Sequence, residues 1–496
     1  MLLSVWRSII INSWILFLYC YANNHFYKGY EVVRVLPKTN EHLQLIRHFE
    51  DNYGGKLKSC RDLNKLIYYF ILNRYEVVRV LPKTNEHLQL IRHFEDNYGV
   101  DRWSEVLTIN RDVKMSLPRK QAPKIKKLFK QHGIDVKILH NDLEKLIQKS
   151  DDISKQHKIR TKRLTVNIAS SHLTGYLRYQ EIVEFLKEQH RRSPPLRNFT
   201  SLFSIGSTHE NRSIWTIRIG KPSARRNILI DCGIHAREFI SPSTCLYMID
   251  KLIGEVNNGR VSLLSVFNIY IIPLLNPDGY EYAQTERRMW RKNRALNGYY
   301  HNPDSKCIGV DLNRNFGYHW MENGASTNPC SETYAGPHQD SEPETRSLQR
   351  FIKQSSRHWD AYLTFHSYGQ YWIYPWGFAL HMPDDYIELN NKATIGSEAL
   401  KRVNGTLYKI GSAANLLYES AGGSDDWAKG VGQIKYVYTV ELRPSDDMND
   451  EHAHFAFMLP ETFIEPVGQE TYVGVKGFLR SLITSRSQKS LSKNKY

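Results

Sequence analysis

The sequence predicts an α/β domain with helices on both faces of a central sheet, preceded by a smaller ferredoxin-like α+β domain. Three observations predict this. From Tyr176 onward, apolar strand-like runs alternate with amphipathic helical ones over about 300 residues, as helices covering both sides of a sheet require. Between Tyr75 and Leu139 the order is strand, helix, two strands, helix, strand, which is the ferredoxin-like order. A polar, charged stretch from Lys149 to Arg163 separates the two patterns.

The elements follow in order. Tyr75 to Leu81 is β-branched and ends at Pro82. Thr84 or Asn85 can cap a helix with Leu88, Ile91 and Phe94 on one face. Val106 to Ile109 and Val113 to Leu117 read as strands, and Pro118 to His132 as a basic helix stopped by Gly133. Ile134 to Leu139 is a strand and Asp142 to Gln148 a further helix. In the larger domain, helices are expected over 180–189, 242–256, 342–354, 385–403 and 470–483. Strands are expected over 213–219, 227–232, 266–275, 362–365 and 436–442. One irregularity stands out: residues 30–54 and 75–99 are identical letter for letter. Solenoid repeats vary and need several copies, so identity points to a recent tandem duplication or an error in the gene model. Only the second copy continues into the ferredoxin-like pattern.

The expected domains are thus a signal peptide (1–22), a duplicated fragment with its insert (23–74), a propeptide (75–150), a basic linker with an activation site (151–163), the α/β domain (164–483) and a basic disordered tail (484–496). The signal reading rests on Arg7, the apolar run Ile9 to Ala22, and Cys20 and Ala22 three and one residues before a cut. A membrane anchor is the rival, but Asn12 and Ser13 interrupt a run already short for a span of about 20 residues. Extracellular localisation follows. Arg160-Thr-Lys-Arg163 offers exposed targets to a trypsin-like protease, so a proenzyme is expected. The net charge of +16 admits nucleic-acid or membrane binding. Much of it lies in the linker and the tail, and no nucleic-acid motif accompanies it, so neither partner is expected. Of six cysteines, Cys232, Cys245, Cys307 and Cys330 remain in the α/β domain. Secretion makes two disulfides plausible in any of three connectivities. Zinc binding by these cysteines is weakened by the lack of a close pair. Sequons at Asn198, Asn211 and Asn404 are candidate glycan sites.

Active sites of open α/β sheets gather at the carboxyl ends of strands. Three clusters sit there: His235-Ala-Arg-Glu238, His366-Ser-Tyr368 and Glu441-Leu-Arg443. A catalytic zinc takes three protein ligands and keeps one open position. His235 and Glu238 can chelate one ion from a single turn, and His366 can complete the set from another strand. A lone H-x-x-E is usually coincidence; three such residues at strand ends are more than that.

From Tyr176 to Ile483 the chain resembles the zinc carboxypeptidases of the pancreatic A/B type. The resemblance is carried by Gly233-Ile-His-Ala-Arg-Glu238, Asn276-Pro-Asp-Gly279, Trp290-Arg-Lys292, Gly309-Val-Asp-Leu-Asn-Arg-Asn315, Phe365-His-Ser-Tyr368, Tyr418 ahead of Ala421-Gly-Gly-Ser-Asp-Asp-Trp427, and Val440-Glu-Leu-Arg443. It implies a mixed central sheet and one Zn2+ on His235, Glu238 and His366. Glu441 would be the general base, Arg291 would meet the scissile carbonyl oxygen, and Arg237 would be an accessory substrate contact, with Ser367 beside the substrate. Asn313, Arg314 and Tyr418 would hold the terminal carboxylate, which makes an exopeptidase; the Arg fork suits both oxygens. Asp425 would floor the pocket for the last side chain, with Gly377 and Ala413 leaving it room. Relatives with Asp there prefer Lys or Arg. Disulfides Cys307–Cys330 and Cys232–Cys245 and a cleft-covering propeptide are also implied.

The expected function is a secreted zinc metallocarboxypeptidase zymogen acting on peptides and proteins with free C-termini, and a monomer. The alternative, a non-catalytic binder of peptide C-termini, would need a lost ligand or base, and none is missing. Three departures stand out. Phe239 replaces the usual Trp, the loop from Pro444 to His454 is longer and more acidic than usual, and the propeptide is partly duplicated.

Overall fold

The computed structural model describes residues 75–104, 107–162, 171–192, 199–297, 307–354 and 358–493, together with the short strands Ile9–Ile11, Trp14–Leu16, Tyr19–Cys20 and Val33–Arg34. The rest of the first repeat copy, the insert after it, Arg163 and Asn198 lie outside the described residues.

The smaller domain comprises β1 (Tyr75–Leu81), α1 (Asn85–Tyr98), β2 (Asp101–Arg102), β3 (Val113–Pro118), α2 (Ala122–Gln131) and β4 (Asp135–His140). Thr84 caps α1, its hydroxyl accepting from His87 N at 3.3 Å, and Gly99 ends it at φ 69°, where a Cβ would be strained. Ile91 and Phe94 of α1 and Phe129 of α2 close the core over Val78, Val80 and Met115. The sheet order is β2-β3-β1-β4 with all neighbours antiparallel, the ferredoxin-like arrangement. The strand expected at Val106–Ile109 is not one: its described part, 107–109, is loop, and Asp101–Arg102 takes the sheet position. Leu107 is buried in the core all the same, so the run is apolar because it plugs a core from a loop.

The segment read as a linker is helical. Helix α3 (Leu143–Lys162) runs through it without interruption. It contains neither Gly nor Pro, the two residues that most oppose a helix.

The larger domain carries an eight-stranded sheet. Its strands are β5 (Thr200–Ser207), β6 (Ser213–Ile219), β7 (Arg226–Cys232), β8 (Phe267–Ile272), β9 (Trp359–Gly369), β10 (Tyr371–Tyr374), β11 (Lys409–Ser412) and β12 (Tyr436–Ser445). The order is β11-β10-β12-β9-β7-β8-β6-β5, parallel through β12-β9-β7-β8 and between β11 and β10, and antiparallel between β10 and β12, β8 and β6, and β6 and β5. It is the expected mixed sheet. Ile228 and Ile230 enter one core cluster and Leu229 the opposite one, so β7 is covered on both faces. Its described helices of seven residues or more are α4 (Tyr179–Arg191), α5 (Ile240–Asn257), α6 (Pro277–Thr285), α7 (Pro343–Gln354), α8 (Tyr386–Asn404), α9 (Ser424–Gly430) and α10 (Ile464–Lys493), and α5 and α10 make one cover of the sheet. The tail expected to be disordered continues α10 up to Lys493. Because β7 lies between parallel neighbours on both sides, its carboxyl end opens into the crevice where such sheets bind ligands.

Candidate active site

His235 and Glu238 follow β7 on a tight turn. Gly233 starts it at φ 67°, and a Cβ there would lie 2.7 Å from Leu274 and 2.9 Å from Pro242. The turn is tied down from its flank. Asn276, at the N-terminus of helix α6 (Pro277–Thr285), donates to the Ile234 carbonyl at 3.0 Å and the Lys292 carbonyl at 3.2 Å. Ala236 N donates to the Arg291 carbonyl at 2.9 Å, so the two segments are held together.

His366, at the end of β9, faces the same point. The nitrogen and oxygen atoms that His235, Glu238 and His366 can offer lie within 4.8 Å of one another, and all three residues are buried. His235 Nδ1 is 2.7 Å from one Glu238 oxygen, His366 Nδ1 is 3.3 Å from the other, and the two Nδ1 atoms are 3.2 Å apart. Two imidazoles and one carboxylate converging in a buried spot is a donor set that suits Zn2+ and leaves a further coordination position. Ser367 N donates to Glu238 at 3.1 Å and steadies the carboxylate from β9.

Asp311 joins this centre to Arg291. One of its oxygens lies 3.1 Å from His235 Nε2, the ring nitrogen facing away from the ligand cluster. The other accepts from Arg291 Nε at 3.1 Å. Burial would push the Asp311 carboxyl up, but Arg291 and His235 beside it hold it well below the usual carboxylate range. It is therefore an anion that orients a ligand and fixes a guanidinium at once. Sequence reasoning assigned Asp311 no role. The available signal was an aspartate between the apolar Val310 and Leu312, which is costly unless partnered.

Glu441 lies on β12 directly opposite His366 in the β9–β12 register. Across the sheet it also pairs with Tyr371 of β10. Strand register alone thus sets the carboxylate beside the ligand cluster.

Further along the cleft, Arg314 Nη2 donates to the Tyr418 hydroxyl at 2.5 Å, and Asn313 accepts from Ser424 N at 2.9 Å. That contact ties the Asn313–Arg314 turn to helix α9 (Ser424–Gly430), which carries Asp425 and Asp426. Asp425 is buried and accepts from the Thr439 hydroxyl at 2.9 Å. Asp426 turns the other way, accepting from Gly377 N and Phe378 N at 2.8 to 3.0 Å. Burial and the neighbouring Asp425 push Asp426 well above the ordinary carboxylate range, against the pull of those two amides. A Cβ on Gly377 would meet the Ala413 methyl at 3.6 Å, so these small residues adjoin one another.

The smaller domain sits over this cleft. Asp101 of β2 pairs with Arg237 at 2.7 Å, and the Arg102 guanidinium lies 4.5 Å from the Tyr418 ring centre. Burial pushes the Asp101 carboxyl up to about 6; Arg237 opposes the shift and Glu332 adds to it. Disulfides join Cys232 to Cys245 and Cys307 to Cys330. Of the sequons, Asn211 is exposed in a turn at φ 64°. Asn404 is also exposed and donates to Glu470 at 3.0 Å, while its Thr406 is buried on the same carboxylate.

Residues 182–474 match the zinc carboxypeptidase family, and residues 78–150 match the carboxypeptidase activation peptide. The chain is similar to carboxypeptidase B of Astacus astacus, with 44% identity over 304 residues, 61% of this chain and 95% of that one. It is also similar to mast cell carboxypeptidase A of Rattus norvegicus, with 34% identity over 77% of this chain and 87% of that one. Among solved structures, carboxypeptidase A from Helicoverpa armigera superposes with a TM-score of 0.73 at 27% identity, covering 83% of this chain and 98% of that one. The chain therefore belongs to the zinc carboxypeptidase family, as a metallocarboxypeptidase that carries its activation peptide.

Proposed function

We propose that this zymogen is secreted and that its activated form removes C-terminal Lys or Arg from peptides and proteins. The observation that carries the preference is Asp425, a buried carboxylate that accepts from the Thr439 hydroxyl, beside Asp426, whose own oxygens are taken up by the Gly377 and Phe378 amides. A buried anion at the end of a pocket favours a cationic side chain and penalises an apolar one. The two disulfides and the apolar N-terminal run support an oxidising, extracellular setting. Among the described residues, no helix is long and apolar enough to cross a membrane.

In this reading His235, Glu238 and His366 hold one Zn2+, which supplies Lewis-acid chemistry when bound. Arg314, Asn313 and Tyr418 clamp the substrate's terminal carboxylate, so a chain without a free C-terminus finds no partner. Arg291, fixed by Asp311, meets the negative charge that develops on the scissile carbonyl oxygen. Glu441 takes a proton from the attacking water and returns it to the departing amine. Arg237, released from Asp101 when the propeptide leaves, adds a cation to the cleft for the substrate backbone, with Ser367 as a further substrate contact.

The test is to activate the protein with trypsin and offer matched peptides ending in Arg, Lys, Leu and Phe, with and without a zinc chelator. Arg and Lys are expected to be released first, and the chelator to abolish release. Asp425→Ile should lower kcat/KM for Arg and raise it for Leu, shifting their ratio by about 100-fold or more. Preferential release of Leu or Phe by the unaltered enzyme would overturn the reading of Asp425.

A further inference from the structure

The activation peptide touches the catalytic domain at a second place, besides the Asp101–Arg237 contact. There it meets the loop that follows the strand of Glu441, the stretch that departs in length and charge from the usual pattern. Arg111 of the smaller domain donates to Asp446 at 2.9 Å and also to the Tyr371 hydroxyl. Tyr371 in turn donates to Asp446 at 2.6 Å, and Lys409 approaches the other Asp446 oxygen at 3.2 Å. Lys114, buried, donates to the Ala453 carbonyl at 2.6 Å and lies 5.2 Å from the Tyr368 ring centre. Lys149 reaches His454 at 3.3 Å and lies over Phe455. Three propeptide cations, from different elements, thus grip one loop of the catalytic domain.

We propose that this loop, 446–455, is a second anchor for the activation peptide, with Arg111–Asp446 as its key contact. The argument is one of charge and position. Asp446 is only 12% exposed, and a carboxylate so placed needs cationic partners. It has one from each domain, so departure of the propeptide removes Arg111 and leaves Lys409 in place. The anchor can therefore be released without leaving Asp446 bare: Lys409 still partners it in the mature enzyme. Tyr371, which shares Arg111 with Asp446, is also the cross-strand partner of Glu441. The anchor thus holds the strand next to that of the proposed general base while the precursor is intact. It is independent of the terminal-residue preference proposed above, because none of its residues lines that pocket.

The test uses the full-length precursor and a short peptide substrate, with hydrolysis by uncleaved protein measured against the same sample after full trypsin activation. Arg111→Ala should raise the activity of the uncleaved precursor roughly ten-fold, the scale of one lost charge-assisted contact. After activation its kcat/KM should equal that of the parent, since Arg111 departs with the propeptide. Asp446→Asn, which keeps the shape of the loop, should leak in the same direction and serves if Arg111→Ala does not fold. Arg111→Ala combined with Asp446→Asn should leak no more than either single change, to within about two-fold, as removal of one shared contact requires. Lys409→Ala should leave the precursor silent. A precursor that stays silent with Arg111→Ala or Asp446→Asn, a double change whose leak is the product of the two single leaks, or a leak from Lys409→Ala would each overturn the proposal.

Discussion

The metal centre and the propeptide interface are both networks of charged side chains, but they are built in opposite ways. At the centre, each functional residue is positioned by backbone: His366 and Glu441 by strand register, His235 and Glu238 by a turn stitched to its neighbours. At the interface the charged contacts come mostly from long side chains reaching across a gap, such as Asp101 to Arg237 and Arg111 to Asp446. The first arrangement is meant to persist through turnover, and the second to be broken once. The difference teaches that burial alone does not tell a permanent site from a temporary one; the covalent route to each partner does.

The comparison can be broken at its strong end first. Glu441→Gln keeps the size and burial of the proposed base but not its proton affinity. Activated enzyme should lose about 10²- to 10⁴-fold in kcat while its zinc content, read by metal analysis, is unchanged. Near-parental turnover would remove the base from the mechanism. Next comes Asp311→Asn, which keeps an acceptor toward His235 and weakens the hold on Arg291. Zinc affinity from equilibrium competition with a chelator should fall about 10- to 100-fold. Unchanged affinity would mean that the ligands are oriented without Asp311.

The interface should give the smallest effect, and its sign is diagnostic. In the closed precursor Asp101 is pushed up to about 6, from an ordinary 3.8 once released. The closed form therefore binds more protons between those values. Closure is strongest at low pH and is lost progressively as pH rises through about 6. Hydrogen exchange of α1 and β2 in the precursor, corrected for intrinsic rates, should show less frequent opening at pH 5 than at pH 7. More frequent opening at pH 5 would mean that the Arg237 pair outweighs the burial of Asp101.

Much of this was legible in the sequence, for a physical reason. Parallel strands buried on both faces are continuous apolar runs, so the polar residues that end them stand out, as Glu441 does after Tyr436 to Val440. Composition misled where charge was taken for irregularity. Helix α3 and the last ten residues of α10 contain neither Gly nor Pro, the two residues that most oppose a helix. The run Val106–Ile109 misled in the other direction, since an apolar loop can fill a core as Leu107 does. Short β10 and β11 escaped notice, although β10 is the neighbour that pairs with Glu441. Asp311 was hidden because its importance lies in which two partners it joins, and one of them, His235, is 76 residues away.

The register of β9 carries one more consequence. His235 and His366 are 131 residues apart in the chain, and they meet only once β7 and β9 are paired. Side chains alternate along a strand, so a slip of one residue in β9 would turn His366 away from His235 and bring a neighbour into its place. Tight retention of zinc is thus a gauge of how the sheet was assembled: a molecule that keeps its metal against a chelator has passed an alignment check on its own central strands.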